Sequence, residues 1–423
     1  MYTRSGLFII TFLMIFGWKI AGYIDISSIV ACILVFRLLW RPETVKKLKS
    51  DISIKCLYYL SIYSIFLSIF TGIEDIQIVF RTLRAFIVLI ASYSLYELYC
   101  KKLPDSHDAI VSDVFFSLFT HSLIMVSMFS SDSIRNAIYA ITEASSYVNN
   151  SSSFLDGYRV SGLTYGLSQT SVLQMFGLFL IPTMIKKSNN TINRIFLLAT
   201  IPITIASVLI SGRSGLFIGI LLFPVYIICK YLCNPVPLRN LQKNIPAAIV
   251  YIALLLVFAQ FTYKILPQKF HQYTMSTNSE IFEALAWKGH TISHVSDHMY
   301  FFPDNICEML FGTGNLGRSE YNYIDSDVGW VRNIFAVGVI GTVLMLIPYF
   351  SGIVIAFCNR NVLGEIAFAA ILIFLASLLL NCKELAILTR NQWTVQTLLL
   401  AYLHTKRNNL ALQNNRHVIH KAD

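Results

Sequence analysis

The stretch Ala247–Phe261, AAIVYIALLLVFAQF, contains no charged residue and is apolar on every side of a helix. Apolar runs of about 20 residues, the length that crosses a bilayer as a helix, recur along the whole chain. Strands of a membrane β-barrel would instead alternate polar and apolar residues over about 10 positions. The stretch therefore predicts a membrane-spanning helix and excludes a barrel strand.

Composition extends this interpretation to the rest of the chain. Of its 423 residues, 55% are hydrophobic and 13% are charged, whereas soluble domains carry about 25% charged residues. Disordered chains, collagens, disulfide scaffolds and ordinary cytosolic enzymes are excluded. The eight cysteines form no CxxC pair, so we expect neither a zinc nor a redox site. The predicted fold class is all-α, a polytopic integral membrane helical bundle.

The apolar runs predict about twelve transmembrane helices in one integral membrane domain that covers residues 1–423. The first run follows a single Arg4 and is not trailed by a small-residue cleavage site, so we interpret it as a retained anchor. The expected spans are 6–23, 25–40, 56–72, 78–99, 109–130, 163–185, 194–210, 214–233, 245–262, 330–357, 363–381 and 386–404.

Clusters of Lys and Arg in short loops mark the cytoplasmic side of a membrane protein. Each such cluster in this chain follows an even number of predicted spans. Both termini are therefore predicted to be cytoplasmic. The formal net charge of +10 is explained by this orientation, and we expect no nucleic-acid partner.

Two predicted outer loops, 131–162 and 262–329, are far longer than a connection between spans requires. Long loops of this kind are usually functional. Thr277 followed by Glu280 resembles a capping box at the start of a helix. We therefore expect the larger loop to contain short helices and to lie over the outer face of the bundle as a lid.

Several arginines fall on the side of the membrane that usually lacks positive charge. They are Arg159, Arg213, Arg318 and Arg332 in or beside the outer loops, and Arg81 and Arg84 near the outer end of the fourth span. A buried guanidinium is costly unless it meets water, a carboxylate or a phosphate. Any one of them is also explained as a loop or snorkelling arginine, but several at one face favour an anionic ligand.

Glycines flank two of these arginines. Arg159 precedes Gly162 and Tyr165 at the start of the sixth span, where glycine lets a backbone approach a substrate closely. Arg213 lies in Ser211–Gly215, a tight turn that places a positive charge and amide groups at the start of the eighth span. A simple interhelical turn explains these glycines but not the arginine.

Gly312–Gly317 matches GxGxxG, but it lies in an outer loop and not between a strand and a helix, so we reject a dinucleotide site. We interpret it as a turn that brings Arg318 and the segment 321–332 to the bundle. That segment contains Tyr323, Asp325 and Asp327. Aromatic side chains that stack on sugar rings, together with carboxylates that bind sugar hydroxyls, are typical of a sugar site. An interfacial aromatic belt is the structural alternative, and it explains Trp330 alone.

Histidines at positions 290, 294 and 298 recur every four residues but lack an accompanying HExxH pattern. We expect them to be solvated or hydrogen-bonded, and we expect no metal site.

Taken together, these residues resemble the O-antigen polymerase and ligase group of bacterial membrane proteins. Three places carry the resemblance: Tyr158–Gly166, with its arginine before a central span; Ser211–Leu216, a short Ser/Gly-Arg turn; and Leu310–Gly314 followed by Asp325–Trp330 and Gly338–Gly341, the end of the large periplasmic loop and the next span. Ligases of this group carry a His-Asn pair where this chain has Asp327-Val328. This departure favours a polymerase.

The resemblance implies transfer of a growing glycan from undecaprenyl pyrophosphate to a newly flipped repeat unit at the periplasmic face of the inner membrane. It implies no cofactor or metal, and partners that include membrane lipid, a chain-length regulator and a flippase. Our hypothesis for this reaction is that Arg159 and Arg213 would hold the donor pyrophosphate, with Gly162, Tyr165 and Tyr323 also lining the substrate site. Arg318 and Arg332 would assist the second lipid or loop closure, and Asp325 or Asp327 would act as the base.

Two other functions remain open at this point. An O-antigen ligase, which transfers finished glycan to lipid A core, would share the fold, donor and arginines. A transporter or flippase of lipid-linked oligosaccharides would also need about twelve spans, but transporters usually place ionisable residues near the bilayer midplane.

Overall fold

The computed structural model describes residues 4–20, 24–41, 48, 51–72, 76–103, 108–142, 159–164, 166–233, 298–317 and 324–422. Several predictions fall outside these residues. They concern the span 245–262, the capping box at Thr277, the histidines at 290 and 294, and the site residues Tyr165, Arg318 and Tyr323.

The described residues form helices and one pair of two-residue strands. The helices are α1 (Arg4–Phe16), α2 (Ile26–Leu39), α3 (Ile52–Thr71), α4 (Gln77–Lys102), α5 (Ala109–Ser130), α6 (Asp132–Thr142), α7 (Leu167–Lys187), α8 (Thr191–Ser211), α9 (Ser214–Cys233), α10 (Ile306–Phe311), α11 (Gly329–Cys358), α12 (Arg360–Leu363), α13 (Glu365–Leu380) and α14 (Arg390–Ala422). The strands β1 (Lys19–Ile20) and β2 (Ile24–Asp25) pair antiparallel between α1 and α2.

Six of these helices, α3, α4, α5, α7, α8 and α11, are long and apolar enough to cross a membrane. Four more apolar helices among the described residues are shorter: α1, α2, α13 and the Ser214–Lys230 part of α9. The prediction of a helical, multi-pass membrane protein is therefore confirmed. The structure supports six spans among the described residues, so the predicted total of about twelve spans stays a prediction.

Two predicted spans differ from the helices observed. The first was expected over 6–23, but α1 ends at Phe16 because Gly17 packs against the start of α2. A Cβ at Gly17 would lie 2.5 Å from the Ser27 nitrogen. The last was expected over 386–404, but α14 begins at Arg390, so the predicted connection at 382–385 extends over an irregular segment, 381–389.

The chain divides into two compact units. The terminal unit comprises residues 1–117 and 295–423, and the middle unit comprises residues 118–294. In the terminal unit, α11 packs against α3, α10 and α13, while α4 packs against α2, α3 and α14. In the middle unit, α7 packs against both α8 and α9.

Helix α11 is interrupted at Gly338, whose φ of 66° and ψ of −176° are not helical. The segment after α10 docks at this break: Thr313 N–H donates to the Phe335 carbonyl at 2.7 Å and Gly314 N–H donates to the Ala336 carbonyl at 3.0 Å. Backbone groups in a bilayer need partners within the protein. The Gly312–Gly314 segment supplies them, so the break is closed by the chain itself.

The irregular segment 381–389 is also satisfied internally. The Asn381 Oδ1 accepts from the Ala386 and Ile387 N–H groups at 3.0 and 3.3 Å. The Tyr349 hydroxyl accepts from the Leu388 N–H at 2.9 Å, and the Arg81 guanidinium donates to the Ile387 carbonyl. Side chains from α4 and α11 therefore replace the helical hydrogen bonds that this segment lacks.

Gly338→Ala should lower the melting temperature of the purified protein markedly more than Gly72→Ala. Both glycines have a positive φ, 66° and 61°, which costs an L residue about 1–2 kcal/mol. At Gly338, however, a Cβ would also lie 2.3 Å from the Leu310 carbonyl oxygen, whereas nothing lies within 4 Å of a Cβ at Gly72. Equal losses in the two variants would contradict the docking of this segment at the break.

Candidate functional site

In the middle unit, the segment that carries Arg159 lies against the end of α8. The Val160 N–H donates to the Ile210 carbonyl at 3.3 Å. Val160 is fully buried, in an apolar cluster with Met128, Tyr139 and Ile210. Burial of Val160 therefore fixes the position of the half-buried Arg159 beside the C-terminal end of α8.

Gly162 is required where this segment meets α5. Its φ is +63°, and a Cβ would lie 2.4 Å from the His121 Nε2. The next residue, Leu163, donates its N–H to the same Nε2 at 3.0 Å. Gly162 was predicted to let the backbone approach a substrate closely. In the structure it lets the backbone approach His121, a residue of the same unit.

His121 belongs to a buried polar network that joins three helices. Its Nδ1 faces the side-chain amide of Gln174 on α7, and that amide lies 2.6 Å from the Ser122 Oγ. Ser207 on α8 donates to the Ser122 Oγ at 3.1 Å. The Nε2 accepts from the Leu163 N–H, so a proton on Nε2 would break that hydrogen bond.

The Ser211–Gly215 turn, which carries Arg213, is fastened to α7 by Ser171. The Ser171 Oγ lies 2.6 Å from the Gly212 carbonyl oxygen and accepts from the Gly215 N–H at 3.0 Å. A Cβ at Gly215 would lie 2.4 Å from the Ser171 carbonyl oxygen. One amide that the sequence offered for anion binding is therefore already bound within the protein.

The Arg159 segment and the Arg213 turn thus lie at the same end of α8, since Val160 binds Ile210 and the turn begins at Ser211. Gly162 lies in the same segment as Arg159. Three of the predicted substrate-binding residues are therefore brought into one region of the middle unit.

In the terminal unit, the predicted residues Asp325, Asp327 and Arg332 lie just before and within the start of α11. Both acids are exposed, while Ser326 between them is buried and donates to the Met299 carbonyl at 2.7 Å. Arg332, 7% exposed, donates to the Ser326 carbonyl and lies 3.3 Å from Asp327, which is 70% exposed. Its guanidinium therefore holds the turn that presents the two carboxylates.

A second charged group lies in the terminal unit, and only its Arg84 was singled out from the sequence. We call it the Asp25 cluster, and it consists of Asp25, Ser27, Arg84 and Arg390. Asp25 caps α2, accepts a hydrogen bond from Arg390 and lies 3.5 Å from the Arg84 Nη2. Arg390 also donates to the Gly17 carbonyl. The cluster joins the end of α1 to the starts of α2 and α14 and to the N-terminal half of α4.

The Asp25 carboxylate is held ionised by its arginines. Burial alone would raise the pKa of this carboxyl, but the Arg390 and Arg84 charges and hydrogen bonds from Arg390 and Ser28 outweigh burial. The pKa of Asp25 therefore lies below its ordinary value of 3.8.

Two residues missed in the sequence carried a readable signal. His121 is an ionisable residue in the middle of a predicted span, and such residues are functional candidates by default. Arg390 is a cation near the outer end of the last predicted span, where positive charge is uncommon. In both cases the partners come from distant parts of the chain, so the contacts themselves were not readable.

Among the described residues, no group of three or more His, Cys, Asp or Glu side chains could hold a metal ion. Comparison of the chain with protein-family models, with curated proteins and with solved structures finds no match.

The contact between Gly162 and His121 predicts strong coupling between substitutions at the two positions. Gly162→Ala should lower the melting temperature of the wild-type protein more than that of the His121→Ala variant, in which the clashing ring is absent. Residues in direct contact typically couple by about 0.5–3 kcal/mol. The four proteins of this double-mutant cycle should be compared in one detergent; additive effects would contradict the contact.

The lowered pKa of Asp25 predicts a stabilisation that depends on pH. The ionised carboxylate stabilises the fold above the unfolded pKa, and this contribution is lost as pH falls through the lower, folded pKa. Asp25→Asn should therefore lower the melting temperature at pH 7, by the equivalent of about 1–3 kcal/mol, and the difference from wild type should shrink below about pH 4.

Asp132→Asn is the matched control for this comparison. Its carboxylate likewise forms an ion pair with an arginine, Arg135, at 2.8 Å, but it is 81% exposed. Exposed pairs contribute about 0–1 kcal/mol, so little change is expected at either pH. A loss at Asp25→Asn no larger than at Asp132→Asn, or one that does not shrink as pH falls below about 4, would contradict the assignment.

Proposed function

We propose that this protein polymerises lipid-linked O-antigen repeat units at the periplasmic face of a bacterial inner membrane, as a glycosyltransferase with about twelve spans and both termini in the cytoplasm. The observation that carries the proposal is the placement of Arg159, Gly162 and the Arg213 turn at one end of α8. These are two of the three stretches through which the sequence resembles O-antigen polymerases.

In the proposed reaction, an acceptor hydroxyl of a new repeat unit attacks the anomeric carbon of the growing glycan. The bond from that carbon to the undecaprenyl diphosphate oxygen breaks as the new glycosidic bond forms, and the lipid diphosphate leaves with the electron pair. Negative charge grows on the leaving diphosphate, and guanidiniums placed beside it stabilise the transition state. Arg159 and Arg213 have this role in the proposal.

The proton of the acceptor hydroxyl passes to a general base. Asp325 and Asp327 are the candidates because both carboxylates are exposed at the start of α11. Arg332 is occupied by the Ser326 carbonyl and Asp327, which supports its role in positioning this turn more than a role in binding the second lipid.

A transport function is the second candidate, and the interrupted helix α11 is the observation that favours it. Transporters use broken helices whose free carbonyls coordinate ions or substrate. Here the Phe335 and Ala336 carbonyls already accept hydrogen bonds from Thr313 and Gly314. The break thus binds a segment of the chain itself, and these two carbonyls are not available to coordinate an ion or substrate.

The gene should be deleted from its host and lipopolysaccharide compared on gels with and without a plasmid copy. We expect the deletion to leave core with a single repeat, and the plasmid to restore a ladder. Bare core would favour a ligase or flippase, and an unchanged ladder would overturn the O-antigen proposal.

On the plasmid, Arg159→Ala or Arg213→Ala should abolish chain extension while the protein level in the membrane stays normal, because each removes a charge assigned to the leaving diphosphate. Arg194→Ala is the matched control: this exposed arginine at the start of α8 donates to the Ser188 carbonyl at 2.9 Å. The control should leave the ladder intact. A full ladder in both test variants would overturn the assignment of these arginines.

A further inference from the structure

We propose that the Asp25 cluster is a second anion site, which binds the diphosphate headgroup of a polyprenyl lipid. The site is formed by residues of the terminal unit alone, whereas Arg159 and Arg213 belong to the middle unit. Its assignment to the acceptor lipid rests on the proposed function. The existence of an anion site rests on the geometry of the cluster.

Charge is the first argument. Arg84 and Arg390 both pair with Asp25, and among the described residues no other carboxylate lies within ion-pair distance of either arginine. Two guanidiniums therefore share one carboxylate, which leaves an excess of one positive charge. An excess charge that is shielded from water is costly. A bound anion would remove this cost.

Convergence of the two guanidiniums is the second argument. The Arg84 Nη2 and the Arg390 Nε lie 3.4 and 3.2 Å from the same Ser27 Oγ. The Arg84 Nε is buried and has no hydrogen-bond partner among the residues that the structure describes. A diphosphate carries several acceptor oxygens, which suit the fixed fork of donors on a guanidinium.

Access is the third argument. The Arg84 side chain is 29% exposed and that of Arg390 is 13% exposed, so a ligand can reach the cluster from the Arg84 side. Asp25, Ser27 and Arg390 lie at the N-terminal ends of α2 and α14, and Arg84 lies in the N-terminal half of α4. The predicted topology places the N-terminal ends of all three helices at the outer face, where the headgroup of a flipped lipid would lie.

A polymerase must hold two diphosphate lipids at once, one that carries the growing chain and one that carries the new repeat. Arg159 and Arg213 are assigned to the first. The Asp25 cluster supplies positive charge for the second, whose diphosphate stays attached to its sugar during the transfer. The Asp25 cluster would therefore only position the acceptor lipid. The bond that breaks is the one in the donor, beside Arg159 and Arg213.

The site is tested by binding measurements on the full-length protein in nanodiscs, in an Arg159→Ala/Arg213→Ala background that removes the proposed donor site. The probes are undecaprenyl diphosphate, phosphatidylglycerol and inorganic diphosphate. Arg84→Gln should weaken binding of undecaprenyl diphosphate by about tenfold or more. Asp25→Asn should strengthen it several-fold, because it removes the only negative charge in the cluster.

Arg41→Gln is the matched control, since Arg41 also shares one carboxylate, that of Glu97, with a second cation, Lys101. Arg41→Gln removes the same charge beside Glu97, near the C-terminal end of α4, and the affinity should stay within about twofold. If Arg84→Gln does not fold, Arg84→Lys, which keeps the charge and loses the fork, should weaken binding several-fold. The Asp25→Asn measurement does not depend on whether either Arg84 variant folds.

A purely structural role for the cluster predicts that Asp25→Asn weakens binding or leaves it unchanged, and either result would overturn the proposal. Equal effects on phosphatidylglycerol would assign the site to phospholipid phosphate, and equally tight binding of inorganic diphosphate would assign it to a free anion. Both outcomes overturn a lipid diphosphate site. If the deletion strain keeps its gel ladder but the binding results are as expected, only the polymerase proposal is overturned. If the deletion strain loses its ladder but the binding results are not as expected, only this site is overturned.

Discussion

The absence of water from a bilayer requires every backbone N–H and carbonyl group of a membrane protein to find a partner within the protein. Three irregular segments meet this requirement by different means. The 312–314 segment pairs its N–H groups with carbonyls freed at the Gly338 break. The 381–389 segment uses Asn381, Tyr349 and Arg81, and the 159–164 segment uses His121. Non-helical backbone is thereby held in defined positions beside helices.

The arginines of the two units are placed in different ways. Arg81 and Arg332 each donate to a backbone carbonyl of an irregular segment and so stabilise the position of a loop. Arg159 and Arg213 lie at one end of α8, each in a segment whose backbone is fixed by hydrogen bonds of neighbouring residues. A site for an anionic headgroup needs charges that are positioned in this way. The proposed glycosyl transfer assigns the donor diphosphate to this pair.

The sequence predicted the helical membrane fold because long apolar runs leave few alternatives. It also singled out Arg159, Gly162 and Arg213 by their glycine-rich surroundings, and the structure places these three residues in one region of the middle unit. It did not predict the break at Gly338, which lies in a continuous apolar run, and it began the last span at 386 because Leu385–Leu388 are apolar, although the irregular segment continues to 389. Nor did it predict the pairing of Asp25 with Arg390, since these residues come from opposite ends of the chain and meet only when α2 and α14 have packed around α4.

The most direct measurement of the central claim is reconstitution of the purified protein in vesicles with repeat units linked to undecaprenyl diphosphate. Glycan length on the lipid and release of free undecaprenyl diphosphate should be measured together over time. The account predicts longer lipid-linked glycans and one free lipid diphosphate for each repeat added, with neither product formed by the Arg159→Ala/Arg213→Ala protein. Transfer of repeat units across the vesicle membrane without any change in glycan length would contradict it.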